Sequence, residues 1–126
     1  MKHFALQDLG FDAPATIEEY QEWARRGWHI GNHRTLKRFT KRCDYIMAVG
    51  LGGETGEVLE VLKKGVRDGE TPKFKEDLTL ELGDVLYYMA VIARRHGISM
   101  KDIMDANYTK LTARRKKKLA AKGRKS

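Results

Sequence analysis

Leu78, Leu82, Val85, Met89 and Ile92 recur at spacings of four, three, four and three residues. That is the period of one helical face, so this stretch is predicted to be an α-helix that buries one side. Gly97 is its expected stop. No segment shows sustained period-two alternation, and the only prolines are Pro14 and Pro72. Thr16-Ile17-Glu18-Glu19 reads as a capping box that opens a first helix, with Ile17, Tyr20 and Ala24 on one face and Gly27 as its end. A loop holding Trp28, His29, Gly31 and His33 is expected next. From about Arg34, Leu36, Phe39, Cys43, Ile46 and Met47 recur at helical spacing, and the pattern runs on through Val58, Leu59 and Leu62.

Four glycines, Gly50, Gly52, Gly53 and Gly56, interrupt this second helix. Each costs about 1 kcal/mol against alanine inside a helix, so they mark either a break or a close approach by a backbone or ligand. Gly65 and the stretch from Arg67 to Pro72 are predicted to form a loop. Ser99 and Asp102 then resemble another capped start, for a fourth helix carrying Ile103, Ala106 and Leu111. Four helices in 126 residues predict an all-α fold, a bundle of antiparallel helices.

Composition excludes several classes. The single cysteine, Cys43, permits no internal disulfide and no four-cysteine zinc site, and it reads as a small buried hydrophobe. The longest apolar run, Val85 to Ala93, is far short of the ~20 residues a membrane helix needs. With no apolar leader at Met1-Lys2-His3, a cytoplasmic protein with no membrane partner is expected. The net charge of +8 is not spread evenly. Eight of the 25 Lys and Arg fall in residues 114–126, which leaves 17 basic against 17 acidic residues before them. The expected organisation is an N-terminal extension over 1–15, a helical domain over 16–113 and a basic tail over 114–126. Such a tail can bind a nucleic-acid backbone, although a solvated helix end is the commoner use of these residues.

The chemically informative residues are two acid pairs, Glu54-x-x-Glu57 and Glu81-x-x-Asp84. A spacing of three puts both members of a pair on one patch of a helix. If the helices pack antiparallel, all four carboxylates can face one cleft, and their repulsion then calls for cations. Glu-x-x-Glu alone is common on solvated helices. Here, however, Glu81 and Asp84 sit inside LTLELGDVLYYMAVIA, a stretch that otherwise reads as core, and glycines flank Glu54 and Glu57. Oxygen-only donors select hard divalent cations, Mg²⁺ with Mn²⁺ as substitute. No glutamate has a histidine three residues later, which argues against a di-iron bundle. Magnesium held by carboxylates usually works on phosphate esters or anhydrides.

The runs GLGGETGEVLEVLKK, LELGDVLYYMAVIA and NYTKLTARR resemble the MazG-like all-α nucleoside triphosphate pyrophosphohydrolases, whose motif is E-x-x-E, a spacer, then E-x-x-D. The resemblance extends from about Ile17 to Arg115. It departs at Gly53, where some relatives carry an additional acid. The resemblance implies hydrolysis of a nucleoside triphosphate to its monophosphate and pyrophosphate, for house-cleaning or nucleotide-pool control. It also implies Mg²⁺ as cofactor and a homodimer or dimer of dimers. Glu54, Glu57, Glu81 and Asp84 are then the expected metal ligands, with Glu54 or Glu57 doubling as general base.

Asn107, Lys110 and Arg114 share a face of the fourth helix, and Asn-x-x-Lys matches a family element, so they are expected to bind the nucleotide, together with Lys63. Lys64 reads as a helix-end lysine that opposes the dipole. Glu60 and Asp77 read as surface acids, and Trp23, Trp28 and Tyr88 as core aromatics sooner than base-stacking groups. The apolar faces of the second and third helices look wider than one partner can cover, which predicts that a second subunit completes the pocket. The competing reading is a basic nucleic-acid-binding accessory protein with a structural metal site.

Overall fold

The computed structural model describes residues 13–31 and 41–124. They form four helices, α1 (Ile17–Gly31), α2 (Lys41–Asp68), α3 (Phe74–Arg95) and α4 (Met100–Arg124), with no strand among the described residues. The fold is an all-α bundle. None of these helices is long and apolar enough to cross a membrane.

Local chemistry explains most helix ends. The Glu19 amide donates to Thr16 Oγ1 at 3.1 Å, and Glu19 Oε2 accepts from the Ala15 amide at 2.7 Å. This is the capping box expected at α1. The helix does not stop at Gly27, because one glycine costs too little to end a helix whose next turn is buried. Trp28, expected in a loop, is instead inside α1 and only 4% exposed. His33 and Arg34 lie outside the described residues.

Of the two readings open for the glycines of α2, a break is excluded, because Gly50, Gly52, Gly53 and Gly56 lie within the helix. One expectation is corrected: Gly65, Arg67 and Asp68 belong to the helix rather than to the following loop. The helix ends where Gly69 takes a φ of +85°, a left-handed conformation that favours glycine. At the far end of α3, Gly97 has a φ of +70°. There the Gly97 amide donates to the Arg94 carbonyl at 3.2 Å, and the Ile98 amide to the Ala93 carbonyl at 2.9 Å. This pair of bonds is a Schellman closure. Ser99 and Asp102 then cap α4 reciprocally, each side chain accepting from the other's amide, at 3.0 and 3.3 Å.

The core consists of Ala24 and Trp28 from α1, Cys43 and Met47 from α2, Ala90, Val91 and Ala93 from α3, and Met100 from α4. Only the C-terminal part of the apolar seam of α3 borders this core: Met89 and Ile92 pack against it half-buried, whereas Leu82 is 50% exposed. Gln21 is the one buried polar side chain among the described residues. Its Nε2 donates to the Ile98 carbonyl at 2.9 Å and the Ala90 carbonyl at 3.3 Å, and its Oε1 accepts from the Met100 amide at 3.2 Å. One side chain thus ties α1 to the turn between α3 and α4.

α2 and α3 form an antiparallel hairpin, and three contacts set its register. Phe74 lies on Gly65, Tyr88 lies on Gly50, and His96 Nε2 meets Asp44 Oδ1 at 3.0 Å. In that register Glu57 falls opposite Glu81, and Glu54 opposite Asp84. α4 leans on α1 through Met100 and Ile103. Beyond Ile103 its described side chains are exposed apart from a half-buried Thr112, and the helix continues through the basic residues to Arg124.

Candidate metal centre

The hairpin register gathers acids from two helices. Glu54, Glu81 and Asp84 each offer a carboxylate oxygen, and these three atoms lie within 4.8 Å of one another. Glu54 and Glu81 are half-buried and Asp84 is exposed, so Asp84 is less enclosed than its apolar sequence context implies. Glu57 is exposed and stands outside this group of three. Its charge still reaches Glu81, whose carboxyl is held above its ordinary pKa by burial first, then by the charges of Asp84, Glu57, Glu54 and Asp77. None of these five acids forms an ion pair or hydrogen bond with another side chain among the described residues. The site is an uncompensated concentration of negative charge.

The donor set fits a small divalent cation. Ligand oxygens at 2.0–2.1 Å from Mg²⁺ lie ~2.9 Å apart at neighbouring positions and ~4.2 Å apart across the ion, so closing this group around it requires side-chain movements on the order of 1 Å. Every donor is a carboxylate oxygen, the chemistry that Mg²⁺ and Mn²⁺ prefer.

A cavity of about 340 Å³ opens beside the group, toward the α2–α3 turn, and Glu57 and Glu81 form part of its wall. Lys64, Asp77 and Phe74 also line it, whereas Lys63 does not. Lys63 Nζ is paired with Glu60 at 2.6 Å, and Lys64 with the same carboxylate at 3.7 Å. Lys64 and Asp77, read from sequence as structural and surface residues, therefore belong to the neighbourhood of the site. The signal was in the spacing: Lys64 is seven residues after Glu57 and Asp77 four before Glu81, each on the same helical face as its acid.

On the other side of the acids stands a row of aromatic rings. Tyr20 and Trp23 have centroids 5.6 Å apart, Trp23 meets Tyr87 edge-on at 6.4 Å, and Tyr87 meets Tyr88 edge-on at 5.5 Å. The Tyr20 phenol is raised in pKa by burial, by Tyr87 and by the charge of Asp84, which puts this row next to the acid group. Trp28 is core as expected, but Trp23 is 41% exposed. Asn107, Lys110 and Arg114 are exposed on α4, and no ion pair or hydrogen bond joins them to the acids within one chain.

The model of the MazG nucleotide pyrophosphohydrolase domain matches residues 45–119 of this chain, a span that holds both acid pairs and the Asn107–Arg114 face. The chain belongs to that family. Among similar proteins, the Gene 37 protein of Mycobacterium phage L5 is 35% identical over 81 residues, covering 58% of this chain and 71% of that protein. The uncharacterized protein YvdC of Bacillus subtilis (strain 168) is 27% identical over 111 residues, 82% of this chain and 92% of that one. No solved structure matches. The MazG domain brings a nucleotide substrate and hydrolase chemistry, and its family generally uses a divalent metal.

Proposed function

We propose that this protein hydrolyses a nucleoside triphosphate to the monophosphate and pyrophosphate with Mg²⁺, for which Mn²⁺ can substitute. The observation that carries the reading is the trio of unpaired carboxylates, Glu54, Glu81 and Asp84, converging from two helices within 4.8 Å. These three hold the cation, and Glu57, next to them but outside the trio, is the free carboxylate. When bound, the metal acidifies water and offsets negative charge on the phosphates.

Glu57 takes a proton from the attacking water as the water oxygen bonds to phosphorus. The bridge between the α- and β-phosphates breaks, and pyrophosphate leaves with the electron pair of that bond. Lys63, Lys64, Asn107, Lys110 and Arg114 supply donors for phosphate oxygens, and Trp23 offers an exposed face for the base. In this reading the protein works in the cytoplasm on nucleotide pools.

The working unit is a homodimer or a dimer of dimers. Val49, Leu62 and Val66 on α2, Leu80 on α3, and Met104 and Tyr108 on α4 are all more than 40% exposed in one chain. A second copy would cover them and could bring its own α4 to the acids.

The test is a panel of ribo- and deoxynucleoside triphosphates with Mg²⁺ or Mn²⁺, in which pyrophosphate is resolved from orthophosphate. Pyrophosphate is the expected product. Glu57→Gln and Asp84→Asn are expected to lose more than about a hundredfold in kcat with helicity intact. Orthophosphate as the primary product, or either variant near the wild-type rate, would overturn the assignment. Sedimentation of a fully active 14.5 kDa species would overturn the dimer.

A further inference from the structure

The pyrophosphohydrolase reading leaves the end of α4 beyond Arg114 without work. After Asp105 the sequence has no acid at all, and residues 114–124 carry Arg114, Arg115, three consecutive lysines from Lys116, then Lys122 and Arg124. All seven are exposed, and none forms an ion pair or hydrogen bond among the described residues. They also do not form one face. At about 100° per residue they surround the helix, and no arc wider than ~100° is free of a cation. A solvated face would leave the opposite side apolar or acidic, which this segment does not.

We infer that the C-terminal part of α4 is a binding element for duplex DNA, separate from the hydrolytic centre. Charge complementarity points to a polyanion, and shape selects among polyanions. A membrane-surface helix needs a broad apolar face, and Leu119 is the only large apolar side chain from 114 to 124. An α-helix with side chains is about 10–12 Å across and enters the ~12 Å major groove of B-DNA. There, cations on opposite sides of one helix meet phosphates of both strands. The major groove of duplex RNA is deep and too narrow for this. Beyond Ile103 the described side chains of α4 are exposed except Thr112, so none of the described residues blocks such an approach. The element reads charge and shape, with no side chain from Arg115 to Arg124 suited to a base other than arginine and lysine, so its binding is non-specific.

The experiment measures fluorescence anisotropy of a labelled DNA duplex with the full chain, in EDTA, from 50 to 200 mM salt. If four to six of the seven cations meet phosphates, affinity falls about 150- to 2,000-fold over that range. A variant carrying Arg115→Gln, Lys116→Gln, Lys117→Gln, Lys118→Gln, Lys122→Gln and Arg124→Gln retains helix-forming side chains and leaves Arg114 in place. It is expected to lose most of the affinity and most of the salt dependence, with unchanged circular dichroism. Duplex RNA of the same sequence and phosphatidylserine vesicles are expected to bind more weakly than the DNA. No binding at 50 mM salt, equal binding by the variant, or tighter binding to RNA or vesicles would overturn the proposal. Asp84→Asn keeps the DNA affinity if the two sites are separate, so failure here and failure of the hydrolase reading are distinguishable.

Discussion

Gly50→Ala is expected to destabilise the protein although alanine is the better helix former. In α2 a Cβ at residue 50 would sit 2.2 Å from Tyr88 Cε1, 2.4 Å from Cζ and 2.8 Å from the phenol oxygen. Ordinary contact begins near ~3.4 Å, so the ring must move by more than about 1 Å, and over-packing of this kind costs about 1–3 kcal/mol. Moving it also loosens the edge contact with Tyr87 at 5.5 Å, worth about 0.5–1.5 kcal/mol. The propensity gain of alanine offsets only about 1 kcal/mol. The net expectation is a loss of about 1–2 kcal/mol.

The controls lie on the same helix. A Cβ at Gly52, Gly53 or Gly56 meets nothing within 4 Å, so each alanine there is expected to gain about 0.5–1 kcal/mol. Thermal and urea unfolding followed by circular dichroism, at one fixed protomer concentration, read both effects, and about 1 kcal/mol moves Tm by about 3–6 °C. In a Tyr88→Ala background, Gly50→Ala is expected to become stabilising, because the obstructing ring is gone. A Gly50→Ala variant that gains as much stability as Gly52→Ala would refute the contact. Loss at all three control positions would mean that another backbone packs on α2 there.

Gln21→Leu is expected to cost about 2–4 kcal/mol in urea unfolding, since it strands the Met100 amide and the Ile98 carbonyl at about 1–3 kcal/mol each; a loss under 1 kcal/mol would show that neither bond matters. Hydrogen bonding to Arg25, aided by Arg26, lowers Glu22 to about 2 from an ordinary value of 4.5. A lowered carboxylate stabilises the fold above its unfolded pKa and loses that contribution as pH falls from about 4.5 toward 2. Because the pair is partly solvated, Glu22→Gln is expected to flatten the difference in unfolding free energy between pH 7 and pH 3 by less than about 1 kcal/mol, and an unchanged difference would contradict the pairing. The six-glutamine variant of α4 is expected to keep kcat/KM for nucleotide within about threefold at physiological ionic strength, where charges act over only ~8 Å. A larger loss that persists in high salt would put the tail in direct contact with substrate.

Much of the fold was legible because its signals are local. The capping box at Thr16, the glycine stop at Gly97 and the Ser99–Asp102 cap each depend on residues within a few positions of one another, and each is present; the periodicity of α3 gave the helix, although only Met89 and Ile92 of its seam pack on the core. The errors came where local and tertiary terms conflict. Gly27 looked like an end because glycine weakens a helix by about 1 kcal/mol, yet burying Trp28 in the next turn is worth more. For the same reason a break was one of the two readings open for the four glycines of α2. Helix continuity there is maintained by packing against α3, a term that no window along the sequence contains.

The site shows the same division. Spacing of three was enough to pair Glu54 with Glu57 and Glu81 with Asp84, but it could not say which carboxylates meet across the hairpin. That is decided by register, and two of the three contacts that set it are rings seated on glycines: Phe74 on Gly65 on one side of the acids and Tyr88 on Gly50 on the other. A slip of one turn would move α3 by ~5.4 Å along α2 and pull Glu54 away from Asp84. The glycines that appeared to weaken the helix are thus, at two positions, the sockets that align the acids. Gly52, Gly53 and Gly56 have no such ring against them. Their cost has no return among the described residues, which is what a surface awaiting a close neighbour would look like, and it is the alanine substitutions at these three positions that discriminate open solvent from a second backbone.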